Sequence, residues 1–186
     1  MKKKTRTPFS ILHTNIQSLS HNFDSLERLC TDLEYPFDII ALSETWNPEG
    51  AKEKFIPKQI ENYNKFKGLP GTTLRSGCGL YIRTGIKYKQ RKDLDTKFHD
   101  DINENQCKII EVVNTKGSNI IICVTYRHPK KTSDNTFNTW LHNSLENIRK
   151  ERKTTIFVGD FNYNLLKYSK DKNVTEFTYT MVNFKL

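Results

Sequence analysis

Apolar residues gather in short runs along the chain, and the period of each run predicts its element. Phe9 to Ile16 reads as a first strand, with Asn15 near its end. From Asn22 to Leu33 the apolar positions Phe23, Leu26, Cys30 and Leu33 fall at helical spacing, and Tyr35-Pro36 stops that helix. Phe37 to Leu42 is a buried strand, so the chain opens as a βαβ-like unit. Residues 47–76 carry Pro48, Pro57 and Pro70 and read as irregular. Gly77 to Ile82 begins another strand, with Ile86 to Lys89 as its expected hairpin partner through Thr84-Gly85. A charged connector, Arg91 to Asp101, leads to Gln106–Val113 and Asn119–Tyr126, a hairpin by spacing. Ser133 or Asp134 then caps a helix with the apolar face Phe137, Leu141, Leu145 and Ile148. Ile156, Phe157 and Val158 read as a short buried strand broken by Gly159, and Val174, Phe177 and Met181 suggest a last helix.

Composition narrows the partners more than the fold. The chain has 186 residues, long enough for one domain with a sizeable core. Thirty Lys and Arg against 21 Asp and Glu give a net charge of +9, which favours a polyanion such as nucleic acid. Lys2 to Lys4 and Arg6 read as a solvated terminus or a nucleic-acid arm. No apolar run approaches the ~20 residues of a membrane span, and no signal-peptide core precedes Phe9. An intracellular protein, nuclear or cytoplasmic, is expected. The cysteines Cys30, Cys78, Cys107 and Cys123 form no Cys-x-x-Cys pair and no zinc spacing, which fits free thiols in a reducing compartment. Cys78 reads as occupying a glycine-like turn position.

Candidate chemistry sits where strands end. Thr154 to Asn164 stops at Gly159 and presents Asp160 and Asn162 on alternate positions, so the two side chains can converge on one group. The same Asp and Asn also suit an ordinary turn. Glu44 follows the second strand and Tyr126 ends the seventh apolar run. His13 and His128 read as scaffold residues.

The segments Leu12-His13-Thr14-Asn15-Ile16-Gln17-Ser18-Leu19, Asp38-Ile39-Ile40-Ala41-Leu42-Ser43-Glu44-Thr45-Trp46, Gly77 to Ile82, Val124-Thr125-Tyr126-Arg127-His128-Pro129 and Gly159-Asp160-Phe161-Asn162 occur in that order. Together they resemble the endonuclease/exonuclease/phosphatase superfamily, and more narrowly the apurinic-type endonuclease domain of non-LTR (LINE-like) retrotransposons. The resemblance implies an α/β fold, a DNase I-like two-sheet sandwich flanked by helices in four layers, with the site at one end. It implies hydrolysis of a DNA phosphodiester with Mg²⁺ or Mn²⁺ and no small-molecule cofactor. Carried over, Glu44 is the metal carboxylate with Asn15 beside it. Asp160 positions and activates the attacking water, Asn162 holds the phosphate or that water, and Tyr126 contacts the phosphate. An oxygen-loving divalent cation is satisfied by one Glu with phosphate and water.

The sequence departs from the family at its C-terminal end. Members end with a strand exit bearing Ser-Asp-His, and no such string occurs here; Ser133-Asp134-Asn135 and His99-Asp100 lie on other segments. The expectation is one domain over 1–186 lacking its last strands, with unpaired edges and impaired catalysis. The alternatives are a catalytically inactive nucleic-acid-binding remnant and a phosphatase of the same superfamily.

Overall fold

The computed structural model describes residues 9–46, 58–69, 76–94, 106–114, 117–129 and 134–184. Among the described residues eight strands form two four-stranded sheets. The first holds β1 (Ile11–Asn15), β2 (Ile39–Ser43), β4 (Cys78–Ile82) and β3 (Lys67–Leu69), in the order β1-β2-β4-β3. The second holds β5 (Tyr88–Gln90), β6 (Gln106–Val112), β7 (Ile120–Tyr126) and β8 (Thr154–Asp160), in that order. Helix α1 (Leu19–Asp32) links the parallel pair β1 and β2; α2 (Asp134–Arg149) links the parallel pair β7 and β8; α3 (Lys172–Asn183) follows β8.

Alternation along each strand sorts the side chains into layers. Ile39, Ala41, Leu80 and Ile82 of one sheet meet Ile110, Ile122 and Val124 of the other in the central core. The opposite face of the first sheet, Ile40, Leu42 and Tyr81, is covered by Leu19, Phe23 and Leu26 of α1. Ile109, Ile121 and Cys123 of the second sheet pack on Ile148 of α2. Phe137, Leu141 and Leu145, the rest of the expected α2 face, pack with Phe177 of α3. The result is helix, sheet, sheet, helix.

Several expectations change. β5 does not pair with β4. Tyr88 to Gln90 pair with Val112 to Ile110 of β6, so the chain crosses between sheets at Thr84-Gly85. β3 lies in the stretch read as irregular, and Gly79 is what lets it approach: a Cβ there would meet the Lys67 carbonyl oxygen at 2.8 Å. Cys78 is a fully buried strand residue whose Sγ lies 3.4 Å from the Val124 carbonyl oxygen across the core. Leu33 leaves the apolar face of α1 and is 46% exposed, because the helix ends at Asp32. Ile156, Phe157 and Val158 are half-buried rather than buried, since β8 pairs with β7 along one edge and no other described strand covers the second. Asp134 lies within α2 rather than capping it, and Ser133 lies outside the described residues, as do Lys2–Lys4, Arg6 and the connector from position 95 to 101. Among the described residues no helix is long and apolar enough to cross a membrane.

Arg91 is the largest surprise of the connector. It is 7% exposed and enters a polar cluster on the helix-facing side of the second sheet. Its guanidinium donates to the fully buried Glu111 carboxylate at 2.5 Å and to Glu151 at 2.7 Å. Asn119 and Lys153 close the other Glu111 oxygen at 2.6 and 3.0 Å. Burial pushes the Glu111 carboxyl up, but the hydrogen bonds from Asn119, Lys153, Arg91 and Lys89 outweigh it and hold the group at about 2.

Candidate active site

Two parallel pairs, β1/β2 and β7/β8, end on the same side of the sandwich. Their last inward-facing residues are Asn15, Ser43, Tyr126 and Asp160, and their convergence there follows from register: Asn15 pairs with Ser43, and Tyr126 with Asp160. Asn15 Nδ2 donates to Asp160 Oδ2 at 2.8 Å and so ties one sheet to the other. Asp160 Oδ1 accepts the Asn162 backbone N–H at 2.9 Å, closing a turn between residues two apart. Each carboxylate oxygen is thus held once and keeps a second lone pair for a further donor.

Gly159 makes this exit possible. Its φ is +153°, and a Cβ there would stand 1.8 Å from the Thr125 carbonyl oxygen of β7. Asn162 adopts φ +51° and turns its side-chain amide to the Arg127 carbonyl at 2.7 Å. Arg127, 3% exposed, answers by donating to the carbonyls of Phe161 and Asn162, both at 2.5 Å, while its guanidinium lies 3.9 Å over the Tyr163 ring. Tyr163 in turn donates to Asn138 of α2 at 2.9 Å and packs on Phe177 of α3. The exits of β7 and β8 are therefore clasped from both directions, which fixes where Asp160 points.

Glu44 stands one residue beyond β2, half-buried, at φ +53°. Its backbone carbonyl accepts from Ser18 N at 2.9 Å, which joins the exits of β1 and β2. Among the described residues its carboxylate makes no hydrogen bond or ion pair. Gln17, Ser18, Glu44 and Trp46 all have positive φ, so the exits of β1 and β2 concentrate backbone strain beside the site.

The structure brings Asn15 and Asp160 into direct contact. It does not bring the Asp160 and Asn162 side chains onto one group: Asp160 faces Asn15, and the Asn162 amide faces Arg127. The Tyr126 ring lies in the central core at 2% exposure. His13, read as scaffold, lines the same inner face. Its Nε2 lies 3.2 Å from Ser43 Oγ; burial pushes its imidazole below the usual value, and the Asp160 carboxylate pulls the other way. The signal for it was available: His13 is two residues before Asn15 on the same strand and therefore faces the same side. Arg127 had no such signal, since its partners are backbone carbonyls 34 and 35 residues away.

The donor set fits a hard divalent cation. Among the described residues Glu44 offers a carboxylate without a hydrogen bond or ion pair, and Asn15 Oδ1 accepts only the Gln17 N–H at 3.3 Å. Among the described residues no three His, Cys, Asp or Glu side chains gather as a metal cage. One carboxylate, one amide oxygen and several waters suit Mg²⁺, which sheds its hydration reluctantly.

A helix-flanked double sheet with its polar residues gathered at the exits of two parallel strand pairs defines the DNase I-like class of folds. The chain belongs to the Endonuclease/Exonuclease/phosphatase family, whose profile matches residues 12–172. Among solved structures it is similar to the AP endonuclease LMAP of Leishmania major, at TM-score 0.65 and 15% identity over 95% of this chain and 66% of that one. It is similar to the 3′-5′ exonuclease NExo of Neisseria meningitidis at TM-score 0.61 and 15% identity, over 94% of this chain and 71% of that one. D. rerio TDP2 complexed with a single-strand DNA product matches at TM-score 0.57 and 20% identity, over 91% and 64% of the two chains. The chain thus spans about two thirds of the length of these proteins, and the likeness establishes the fold. No curated protein matches it by sequence.

Proposed function

We propose that the site at Asp160 is a metal-dependent phosphodiesterase centre that nicks DNA. The observation that carries the reading is the Asn15–Asp160 bond across the two sheets, with the Glu44 carboxylate, unpaired among the described residues, beyond the adjacent strand. Asp160, oriented by Asn15 and the Asn162 N–H, accepts a proton from the attacking water through an open lone pair. The water oxygen bonds to phosphorus, the opposite P–O bond breaks, and the departing oxygen takes its proton from solvent. Glu44 and Asn15 Oδ1 would hold Mg²⁺ or Mn²⁺; when bound, the ion supplies charge stabilisation at the phosphoryl oxygens. Asn162, its amide turned to the Arg127 carbonyl, fixes the exit of β8 and through its backbone N–H orients Asp160, and the Tyr126 hydroxyl meets the phosphate.

DNA is favoured as substrate by the net charge of +9 and by relatives solved with DNA products, TDP2 with a single strand and the Neisseria NExo with a hairpin. The wording of Leu12–Leu19 and Tyr126–Pro129 supports descent from a non-LTR retrotransposon. A second reading, a nucleic-acid-binding protein without cleavage, rests on the same net charge of +9.

Nicking of supercoiled plasmid by the purified chain, with Mg²⁺ and with EDTA, separates the two. Metal-dependent nicking abolished in both Asp160→Ala and Glu44→Ala is expected. Binding that weakens with salt and leaves the plasmid closed would replace hydrolysis with binding alone.

A further inference from the structure

Beyond Asn162 the chain makes a short 3-10 turn, Leu165–Lys167, before reaching α3. Every residue from 164 to 170 is exposed, including three large apolar side chains: Leu165 at 56%, Leu166 at 93% and Tyr168 at 47%. A single exposed leucine is unremarkable in a folded protein. Three apolar side chains within four residues, interleaved with Lys167 and followed by Lys170 and Lys172, form a contiguous surface that is both apolar and basic.

The turn is also stiff. The Asn164 side chain accepts from Leu166 N at 3.1 Å, Lys167 N donates to Asn164 O at 2.9 Å, and Tyr168 N donates to Leu165 O at 3.1 Å. Lys170 N and Asp171 N both return to the Lys167 carbonyl, at 2.9 and 3.0 Å, around Ser169 at φ +72°. The one acid of the segment, Asp171, is committed to capping α3 through Asn173 N and Val174 N. Leu166 is thus displayed on a preformed backbone, four residues past Asn162, with cationic neighbours.

We propose that the 165–170 turn is a DNA wedge. Leu166 inserts beside an unstacked base next to the site, Tyr168 offers a stacking face, and Lys167 and Lys170 hold the flanking phosphates. The proposal rests on the reading of the Asp160 site as one that acts on DNA. Charge selects this partner: an apolar tip ringed by lysines matches bases flanked by phosphates, and wedging an intact stack is costly. The site is therefore specific for mismatched, nicked or partly single-stranded DNA over a perfect duplex.

The test uses the full chain in EDTA, so that binding is read without cleavage. The probe is a short duplex with 2-aminopurine beside a central mismatch. The wild type should raise the 2-aminopurine emission and bind this probe more tightly than the fully paired duplex. Leu166→Ser should lose that emission rise and about tenfold in affinity, while Leu166→Met retains both. Lys167→Gln and Lys170→Gln should each lower the slope of log affinity against log salt by about one without abolishing the emission change. Wild-type emission and affinity in Leu166→Ser would overturn the wedge, as would tighter binding to anionic vesicles than to the probe. Plasmid nicking in Mg²⁺, run beside it, reports separately on the site: nicking that ignores Leu166→Ser keeps hydrolysis and removes the wedge. A Leu166-dependent emission change without nicking keeps the wedge and removes hydrolysis.

Discussion

The second sheet carries two clusters built around a carboxylate, and they are finished differently. Glu111, in the middle of β6, is fully buried and met by Arg91, Lys153, Lys89 and Asn119. Asp160, at the end of β8, is half-buried and met by one amide and one backbone N–H. At Glu111 cations close around the acid, as a buried charge demands. Among the described residues only neutral donors orient the acid at Asp160, and a second carboxylate, Glu44, stands at the adjacent exit without a hydrogen bond or ion pair. The first arrangement holds a structure together. The second keeps negative charge available, which is what a cation and a water require and what a purely structural cluster would not leave open.

The contrast is sharpest in Asp160→Asn. The substitution is nearly isosteric and can keep an oxygen toward Asn15, so thermal stability should hold or rise, as it often does when an active-site charge is removed. Plasmid nicking should fall by about 10³-fold, within the range of a lost general base. Nicking at wild-type rate would mean that Asp160, like Glu111, is a structural carboxylate. The opposite pattern is expected for Glu111→Ala. It strands Arg91 and Lys153 without their shared acceptor and should cost about 3–5 kcal/mol in chemical denaturation, with the nicking rate per folded molecule unchanged.

How legible these clusters were depends on how local their signals are. Asp160 announces itself through the glycine before it and the asparagine after it, and α2 through four apolar positions that all prove buried. The β6–β7 hairpin follows from two apolar runs at short spacing. Glu111 lies inside one of those runs, between Ile110 and Val112, and nothing in the run marks its charge as buried. Its burial depends on Arg91, 20 residues earlier, and Lys153, far later. β3 and β5 have three residues each, too few for any period, and β5 reaches the second sheet because Tyr88 can pack into the central core while Lys89 and Gln90 face solvent. His13 was within reach of strand alternation from Asn15, whereas Arg127 acts through backbone carbonyls that no spacing reveals.

Acid tests the closed cluster directly. The Glu111 and Glu151 carboxyls are held at about 2 in the folded protein, against an ordinary 4.5. Hydrogen bonds from Arg91 and Lys153 depress Glu151, as the network depresses Glu111. A depressed acid contributes stability that is complete above its unfolded value and is lost as pH falls through its folded value. Urea midpoints should therefore drop steeply from about pH 4.5 toward pH 2 in the wild type, and much less steeply in Glu111→Leu.

The smallest expected effect lies at the rim of the same network. Lys89 approaches Glu111 at 3.3 Å, but its side chain is 55% exposed while Arg91 is 8% exposed. Glu111 keeps Arg91, Lys153 and Asn119 when Lys89 is removed, so no buried charge is stranded. Lys89→Ala should cost about 0.5 kcal/mol and lose that difference in high salt, as an exposed pair does. A loss of several kcal/mol would show that Glu111 needs every cation around it. The closed cluster would then sit as near the edge of satisfaction as the open one, and unpaired charge would no longer distinguish the site from the scaffold.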